Sequence, residues 1–393
     1  MQWWYRYMQL WFVSVNRVSD NDFVRYGLHE LLSLGVKVNV VDVSDLMWNL
    51  QEDKLCNYIS FDVEYCRYLP EFKKIVLSMG NDDVVLCGGV LSPKLHNILS
   101  TRCKFVGLQT LGAIPRQEAV SSRLTNIVKK LRNKKIVTIL VNKIYSYFVF
   151  KKHPFYFVQR AGYMSSGSYS GVTSQTEIVE SQCYDIYQTL YQKKITSIVD
   201  ERQNYFLWID QAIPYHTDTL KCNGDISEFA VEYFNRIQSL LARCKLEHNC
   251  QVIVSLHPRM INDPRYIDIW SGWETITSNT NGYIEKAKFC LSHNSTAIHA
   301  VAYYNKPLII VKDILLTEQG YDNGITDSFA NELGCNIIES DELESVQNFN
   351  LHINSEKYAK YINRYVSNIS SSNAENANAI YNLLIKIKAK VDK

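Results

Sequence analysis

The stretch KFCLSHNSTAIHAVAYYNKPLIIV, Lys288–Val311, decides the fold of the second half of the chain. It begins with an apolar run of strand length, continues through the polar residues Asn294, Ser295 and Thr296, and ends in the β-branched run LIIV. Thr296–Tyr304 places apolar side chains on one helical face, so the stretch predicts a strand, a tight turn, a short helix and a second strand. Such a unit directs backbone N–H groups and hydroxyls into one crevice that suits a phosphate, although any αβ unit also favours Ser or Thr where its helix begins.

The composition is that of an ordinary globular protein of about two domains. The chain has 393 residues, 42 basic and 40 acidic side chains and a net charge of +2, so it lacks the dominant basic field of a nucleic-acid-binding protein. Its ten cysteines follow neither a CxxC spacing nor a paired framework, which favours reduced thiols in the cytosol over structural zinc. We expect no nucleic-acid partner and no bound cofactor.

The N-terminal segment MQWWYRYMQLWFVSV is apolar and aromatic, but Arg6 and Gln9 interrupt it. It lacks a small-residue cleavage site, so a signal peptide is not expected. No uninterrupted apolar run in the sequence reaches the length of a bilayer-spanning helix. We expect a cytoplasmic protein that is soluble or associates peripherally with the inner membrane.

The first half opens with a βαβ pattern. Leu10–Val15 predicts a strand, Phe23–Leu34 a helix with Gly35 at its C-terminal cap, and Val36–Val43 a second strand. This pattern is typical of a parallel sheet with ligand groups at its strand ends. Further strands are predicted at Asp83–Cys87, Lys104–Gly107 and Lys135–Val141.

The triplet Asp20-Asn21-Asp22 follows the first predicted strand. It resembles the short acidic pattern with which some glycosyl-transfer enzymes hold a metal. A simple helix-capping cluster is the favoured interpretation, because Asp and Asn are common where helices begin. We therefore predict no metal site.

The segment Lys143–Arg160, KIYSYFVFKKHPFYFVQR, is unusually aromatic and basic. The favoured interpretation is a buried strand with linker contacts. The alternative is a surface that faces an acceptor glycan or lipid headgroups, for which aromatic rings and cations are both suited.

The Gly/Ser-rich stretch Ala161–Thr176 is the strongest hinge signal in the chain. It predicts an α/β protein of two Rossmann-like domains, at residues 1–175 and 176–372, with the binding crevice between facing strand ends. The second domain would begin with a helix over Glu177–Gln192. Residues 373–393 carry an amphipathic helix, over about Glu375–Lys390, that is expected to pack back on the first domain.

Three polar clusters in the second half each follow a predicted strand. They are residues 210–218 (DQAIPYHTD), 257–259 (HPR) and 292–296 (SHNST). In a parallel sheet the loops after such strands emerge at the same carboxyl edge, so these side chains should converge there. His216 and His293, which lie within the clusters, are interpreted as hydrogen-bonding loop residues.

The dipeptide His257-Pro258 with the downstream pair Ser295-Thr296 resembles bacterial GT-B glycosyltransferases that use CMP-activated ulosonic acids. These are the sialyl-, Kdo- and nonulosonate transferases of capsule, lipopolysaccharide and O-antigen assembly. The resemblance covers about residues 200–311. It implies a GT-B fold, a CMP-sugar donor, a glycan or lipid-linked glycan acceptor, and a phosphate held by the HP histidine and the Ser/Thr pair. The acidic DDG-like motif of sialyltransferases is absent, and Asp210 is the nearest match.

The chemistry of the clusters agrees with that resemblance. His257 would donate a hydrogen bond or a proton to the departing phosphate, without a metal ion. Asp210 would deprotonate the acceptor hydroxyl, with inversion, or attack the anomeric carbon, with retention. The remaining predicted donor-binding residues are Pro258, Arg259, Ser292, Asn294, Ser295 and Thr296.

Two alternatives stay open. One is a GT-B transferase that uses CDP-glycerol or a UDP-sugar, because teichoic-acid polymerases share the two-domain fold and comparable His and Ser/Thr clusters. The other is a non-catalytic GT-B scaffold in a polysaccharide assembly complex.

Overall fold

The chain folds into two compact units, each built around one parallel sheet. The computed structural model describes residues 8–48, 62–115, 136–164, 169–195, 204–216, 226–258, 260–319, 321, 324–342, 351–367 and 376–393. Unit 1 consists of residues 1–113, 118–187 and 367–393, and unit 2 of residues 114–117 and 188–366. The Gly/Ser-rich stretch predicts a boundary at residue 175, whereas the two units divide after residue 187.

The strands of each unit run parallel to one another. Unit 1 contains β1 (Leu10–Ser14), β2 (Val38–Asp42), β3 (Val63–Tyr65), β4 (Val84–Cys87), β5 (Phe105–Thr110), β6 (Phe157–Ala161) and β7 (Glu177–Ser181). Unit 2 contains β8 (Tyr205–Ile209), β9 (Gln251–Ser255), β10 (Glu274–Ile276), β11 (Cys290–Ser292), β12 (Leu308–Lys312) and β13 (Asn336–Glu339). The spatial orders are β3-β2-β1-β4-β5-β6-β7 and β10-β9-β8-β11-β12-β13, and every neighbouring pair is parallel. Both orders contain the doubly wound pattern 3-2-1-4-5-6.

Helices alternate with these strands. They are α1 (Asp20–Arg25), α2 (Leu28–Ser33), α3 (Ser44–Trp48), α4 (Leu69–Ser78), α5 (Pro93–Ser100), α6 (Ile136–Lys152), α7 (Tyr184–Ile195), α8 (Ala230–His248), α9 (Pro264–Ile269), α10 (Thr280–Lys286), α11 (Ile298–Tyr303), α12 (Ile314–Glu318), α13 (Ile325–Leu333), α14 (Ser355–Tyr361) and α15 (Asn376–Val391). Short 3₁₀ turns lie at Ile213–Tyr215 and Ser227–Phe229. Among the helices that the structure describes, none is both long enough and apolar enough to cross a bilayer.

Both faces of the first sheet are buried, as a parallel sheet requires. Along β1 the side chains alternate, so that Trp11 and Val13 contribute to one core and Leu10 and Phe12 to the other. The second of these cores also contains the apolar face of α15, whose contributing residues are Ala377, Ile380, Leu383, Leu384 and Ile387. The C-terminal helix is thus an integral layer of unit 1.

A buried amide network joins the start of α15 to the sheet. The side-chain amide of Gln159 on β6 donates to the hydroxyl of Ser181 at 2.9 Å and to the backbone carbonyl of Asn376 at 3.1 Å. The Asn376 amide in turn accepts from the Gln182 N–H and donates to the Gln182 carbonyl. These contacts fix where the last helix begins, because buried polar groups without partners are costly.

Three local predictions were wrong. The sequence predicts a strand over Lys135–Val141, but the described part of this run, residues 136–141, lies at the start of α6, because a β-branched run that continues without Gly or Pro is equally compatible with a long helix. Glu177–Gln192 was expected as a helix but begins with β7. The helix expected at Phe23–Leu34 is divided into α1 and α2 by Gly27, whose φ of 71° is left-handed and interrupts helical geometry.

The Gly/Ser-rich stretch after β6 does not join the two units. Its ends lead directly from β6 to β7, and these strands pair in parallel from Phe157↔Glu177 to Ala161↔Ser181. The stretch is therefore a connection between neighbouring strands of one sheet. Its composition resembles that of a hinge because loops and hinges both favour Gly and Ser.

Candidate functional site

The described residues of the three polar clusters of unit 2 follow strands that end at one edge of its sheet, as the sequence predicts. Ile209, the last residue of β8, pairs with Ser255 on β9 and with Ser292 on β11. The loops that follow these residues therefore leave the sheet at the same level. The strand order also reverses between the neighbouring strands β8 and β11. Doubly wound sheets bind ligands at such a position.

A hydrogen bond crosses this switch point. The backbone N–H of Asn294, after β11, donates to the side-chain carbonyl of Gln211, after β8, at 3.1 Å. The bond holds the first and third clusters at a fixed separation. The loops after β8 and β11 are therefore fixed relative to each other.

Asp210 lies beneath this edge and points into the protein. Its carboxylate accepts hydrogen bonds from the backbone N–H groups of Gln211 (2.9 Å) and Ala212 (3.2 Å), from the Tyr266 hydroxyl (2.7 Å) and from the Trp270 indole N–H (3.1 Å). Only 3% of the residue is exposed. Burial raises the pKa of Asp210, and the four donors oppose that shift.

This geometry does not fit the predicted base or nucleophile. Both oxygens of Asp210 are each engaged by two donors, and neither faces solvent. A base or nucleophile must reach the acceptor hydroxyl or the anomeric carbon directly. The carboxylate instead organises the loop that it begins.

Tyr266 on α9 transmits this organisation to His257. Its hydroxyl donates to Asp210 and accepts the backbone N–H of His257 at 3.0 Å. Burial raises the pKa of Tyr266, so the phenol remains a donor. A chain of contacts therefore runs from the buried carboxylate to the backbone of the HP dipeptide.

The imidazole of His257 is half-buried at the edge and lies next to that of His216. The two ring centroids are 4.4 Å apart and the ring planes meet at 82°. His216 comes from the first cluster and is buried, whereas Pro258, beside His257, is exposed. Arg259, the remaining residue of the HPR motif, lies outside the described residues.

Two residues of the third cluster are structural. Ser292, which the sequence predicts to contact the donor, is fully buried, and its hydroxyl lies 3.4 Å from the Ile209 carbonyl. His293 is also buried, with Nδ1 2.6 Å from the Val311 carbonyl and Nε2 2.7 Å from the Tyr233 hydroxyl. Because a carbonyl only accepts, Nδ1 of His293 carries the hydrogen. His293 is thus a hydrogen-bonding residue of the loop.

Ser295 and Thr296 are half-buried at the surface of the same edge. The Ser295 hydroxyl accepts the Ala297 N–H at 3.2 Å. The helix that follows begins only at Ile298 and has six residues, so it is shorter and begins later than expected. Within the part of the chain that the structure describes, the Thr296 hydroxyl and the N–H groups of Ser295 and Thr296 have no protein partner. These polar groups are available to a ligand.

The corresponding edge of unit 1 is occupied by its own side chains. After β1, Arg17 contacts Asp45 at 2.6 Å, and Asp42 accepts the Val18 N–H at 3.0 Å. After β4, a Cβ placed on Gly88 would come within 2.6 Å of the Phe12 ring. The described residues that directly follow β1 and β4 therefore pack against their own sheet.

The acidic triplet of unit 1 supplies a helix cap. The Asp22 carboxylate accepts the Ser19 N–H at 2.8 Å and the Ser19 hydroxyl at 2.7 Å. The bond from the Ser19 N–H is the one that the third residue of a helix accepts in a capping box. Among the described residues, no group of three or more His, Cys, Asp or Glu side chains is placed to hold a metal ion.

Comparisons with known proteins identify the fold. No protein-family model matches the chain, and no curated protein matches its sequence. Solved structures do match over nearly the whole length. MurG of Acinetobacter baumannii has a TM-score of 0.50 at 8% identity, with 96% of this chain and 99% of that chain covered. The wall teichoic acid polymerase TagF has a TM-score of 0.55 at 10% identity, with 98% and 90% covered.

A third similar structure is a UDP-GlcNAc 2-epimerase of Methanocaldococcus jannaschii in complex with UDP-GlcNAc and UDP. Its TM-score is 0.53 at 12% identity, with 96% of this chain and 100% of that chain covered. The fold is GT-B. The predicted fold class, α/β with two Rossmann-like domains, is confirmed, and identities this low establish the fold alone.

Within the GT-B frame, sequence reasoning missed the residues that support the edge. Gln211, Tyr266 and Trp270 bind the predicted residues, and His216 lies against one of them. A signal was present for two of these residues, because Tyr266 and Trp270 are four apart and share one helical face. Their partnership with Asp210, which is far away in sequence, requires the folded sheet.

Proposed function

We propose that the chain is a GT-B glycosyltransferase that binds the phosphate of its activated donor at the β8/β11 switch point of unit 2. The observation that carries this proposal is the placement of His257, Ser295 and Thr296 at one edge. Among the described residues, the N–H groups of Ser295 and Thr296 and the Thr296 hydroxyl have no protein partner there. A phosphate suits these donors, because backbone N–H groups and hydroxyls stabilise its charge without a metal ion.

In this proposal His257 stabilises the departing phosphate through a hydrogen bond or a proton. His216 packs edge-on against it and restricts its ring. Asp210 acts indirectly. Its carboxylate accepts a hydrogen bond from the Tyr266 hydroxyl, which in turn accepts the backbone N–H of His257. Asp210 is therefore a positioning residue in this mechanism.

For the donor we propose a CMP-activated ulosonic acid, and for the acceptor a glycan or lipid-linked glycan of surface polysaccharide assembly. Support comes from the order of the motifs around His257-Pro258 and Ser295-Thr296. CDP-glycerol is the second candidate, because the structural neighbours include a teichoic acid polymerase. With either donor, the proposed location of the protein is the cytoplasm, with peripheral attachment to the inner membrane.

Thermal unfolding of the protein with CMP, CDP and UDP separates these possibilities. A nucleotide that binds only the native state raises the melting temperature. Stabilisation by CMP alone supports the ulosonic acid donor, whereas preference for CDP or UDP supports the second donor class. The absence of any shift would identify a scaffold.

A second measurement addresses the reaction, because the neighbours include an epimerase and a fold does not determine chemistry. A transferase releases the nucleotide and needs an acceptor, whereas an epimerase leaves the sugar attached to its nucleotide. Release of CMP that depends on added acceptor supports transfer. Isomerised donor without release of CMP would overturn the proposed transfer reaction.

A further inference from the structure

Helix α6 of unit 1 exposes a row of large apolar side chains. Val141, Ile144, Tyr145 and Phe148 are spaced i, i+3, i+4 and i+7, which places them on one helical face. Their exposed fractions are 56%, 56%, 44% and 62%. We refer to these four residues as the α6 stripe. Contiguous apolar surface of this kind marks an interaction site, whereas single exposed apolar residues need no explanation.

The C-terminal end of α6 is fixed to the core of unit 1. Phe150 is buried, with its ring centroid 4.6 Å from that of His96 on α5 and 5.8 Å from that of Phe155. The Nε2 atom of His96 lies 2.8 Å from the carbonyl of His153, immediately after the helix. The stripe is therefore held outward by a rigid attachment.

The charge around the stripe is positive. Helix α6 contains no Asp or Glu, and Lys143, Lys151 and Lys152 are exposed on it. Lys151 and Lys152 lie three and four residues after Phe148, so they extend the same face. In the sequence, residues 116–135 before the helix are also rich in Lys and Arg and contain one acid, Glu118.

We propose that the α6 stripe docks unit 1 on an anionic phospholipid surface. Aromatic and aliphatic side chains flanked by lysines are the composition of helices that lie in the membrane interface, and each lysine gains attraction to anionic headgroups. A second copy of this chain is a poorer partner, since two copies would bring like-charged faces together. The helix would lie along the membrane plane with its apolar face directed into the headgroup region.

Membrane binding through α6 is independent of the proposed transferase activity. It depends only on the exposed side chains of unit 1, whereas nucleotide binding is assigned to unit 2. Vesicle binding and nucleotide-induced thermal shifts can therefore fail separately. Each result identifies which of the two proposals it concerns.

The test is co-sedimentation of the full chain with phosphatidylcholine vesicles, with and without phosphatidylglycerol. We expect binding to the anionic vesicles and a loss of about tenfold in partitioning for Phe148→Gln or Ile144→Gln, because apolar area leaves the interface. Leu246→Gln on α8 is the matched control, since Leu246 is 75% exposed on a helix of unit 2. It should bind as the wild type does.

A paired charge test separates the electrostatic contribution. The double variant Lys151→Ala/Lys152→Ala should lose roughly tenfold at low salt, with a difference that disappears at high salt. Lys73→Ala/Lys74→Ala on α4 is the control, because it removes another exposed lysine pair from unit 1. Thermal unfolding should show all variants folded.

Three results would overturn the proposal. The first is no binding of the wild type to anionic vesicles, or equal binding to neutral ones. The second is an equal loss in the α6 variants and their controls. The third is a dimer in analytical ultracentrifugation that Phe148→Gln dissociates, which would assign the stripe to a second copy of the chain.

Discussion

The two sheets share one topology but have different carboxyl edges. In unit 1, Arg17 after β1 contacts Asp45 after β2, and Gly88 after β4 lies against the Phe12 ring of β1. In unit 2 the loops after β9 and β11 leave His257 and Thr296 half-buried at the surface. The same strand order thus supports a closed edge in one unit and an open edge in the other.

This difference shows what the fold does not determine. A switch point between reversed strand orders provides a place for a ligand, but the side chains of the loops decide whether the place is filled by protein. In unit 2 a buried layer, formed by Asp210 and Tyr266, supports an outer layer that contains His257. Function is therefore argued from the loops and not from the topology.

Replacement of His257 by alanine is expected to give the largest effect. If the imidazole stabilises the departing phosphate, turnover should fall about a hundredfold or more, as it does when one preorganised donor is removed. Thermal stability should change little, since the side chain is half-buried in a loop. The measurement is acceptor-dependent release of CMP together with the melting temperature.

His352→Ala provides the control for that substitution, because His352 is an exposed loop residue of the same unit. It should retain normal turnover. Normal turnover in His257→Ala as well would remove the open edge of unit 2 from the mechanism. The contrast between the two edges would then be structural only.

Asp210→Asn tests the buried layer beneath the open edge. Asparagine offers an amide N–H₂ where the carboxylate accepted from Tyr266 and Trp270, so buried donors would face one another. We expect a loss of about 1–3 kcal/mol in the free energy of unfolding, measured by urea denaturation. Asp268→Asn is the control, since this exposed acid lies on the same helix as Tyr266.

The two possible roles of Asp210 give different results. Unchanged stability with abolished turnover would restore the base or nucleophile that the sequence predicted. A covalent adduct on an Asp210 peptide, detected by mass spectrometry with a slow acceptor, would identify the nucleophile. Loss of stability in proportion to loss of turnover supports the positioning role.

Much of the fold could be predicted from the sequence because local pattern and topology agree. The runs YFLWI, QVIVSL and LIIV are buried strands, and the rule that parallel strands end at one edge brought Asp210, His257 and Thr296 to the same region. The β-branched run before Asn142 predicts a strand but lies at the start of α6, since such a run is compatible with both strand and helix.

The environment of each site residue could not be predicted in the same way. Asp210 and Ser292 look in the sequence like any polar residues after a strand, yet both are buried. Their burial depends on Trp270 and on the neighbouring strand β8, which come from other parts of the chain. The sequence predicts His216 as a hydrogen-bonding loop residue, and its proximity to His257 arises only when the two loops meet.

Thr296→Val examines a single hydroxyl at the open edge. The substitution preserves the shape of the side chain and removes a group that has no protein partner in the described structure. If the hydroxyl contacts the donor phosphate, the Kd for CMP should rise about tenfold, as measured by calorimetry. Thr275→Val, an exposed threonine on β10, should leave the Kd unchanged, and an unchanged Kd in both variants would exclude the Thr296 hydroxyl from the donor site.

Removal of divalent metals is expected to have the smallest effect. The open edge of unit 2 offers imidazole, hydroxyl and N–H groups, which stabilise a phosphate without a metal ion. In unit 1, Asp22 of the acidic triplet is engaged by Ser19 in a capping box. Turnover should therefore persist in EDTA, as measured by the same release of CMP. Complete loss of turnover in EDTA, restored by magnesium or manganese, would instead indicate a metal-bound diphosphate donor. The Ser19–Asp22 cap would then have to open, and unit 1 would supply the reactive edge instead of unit 2.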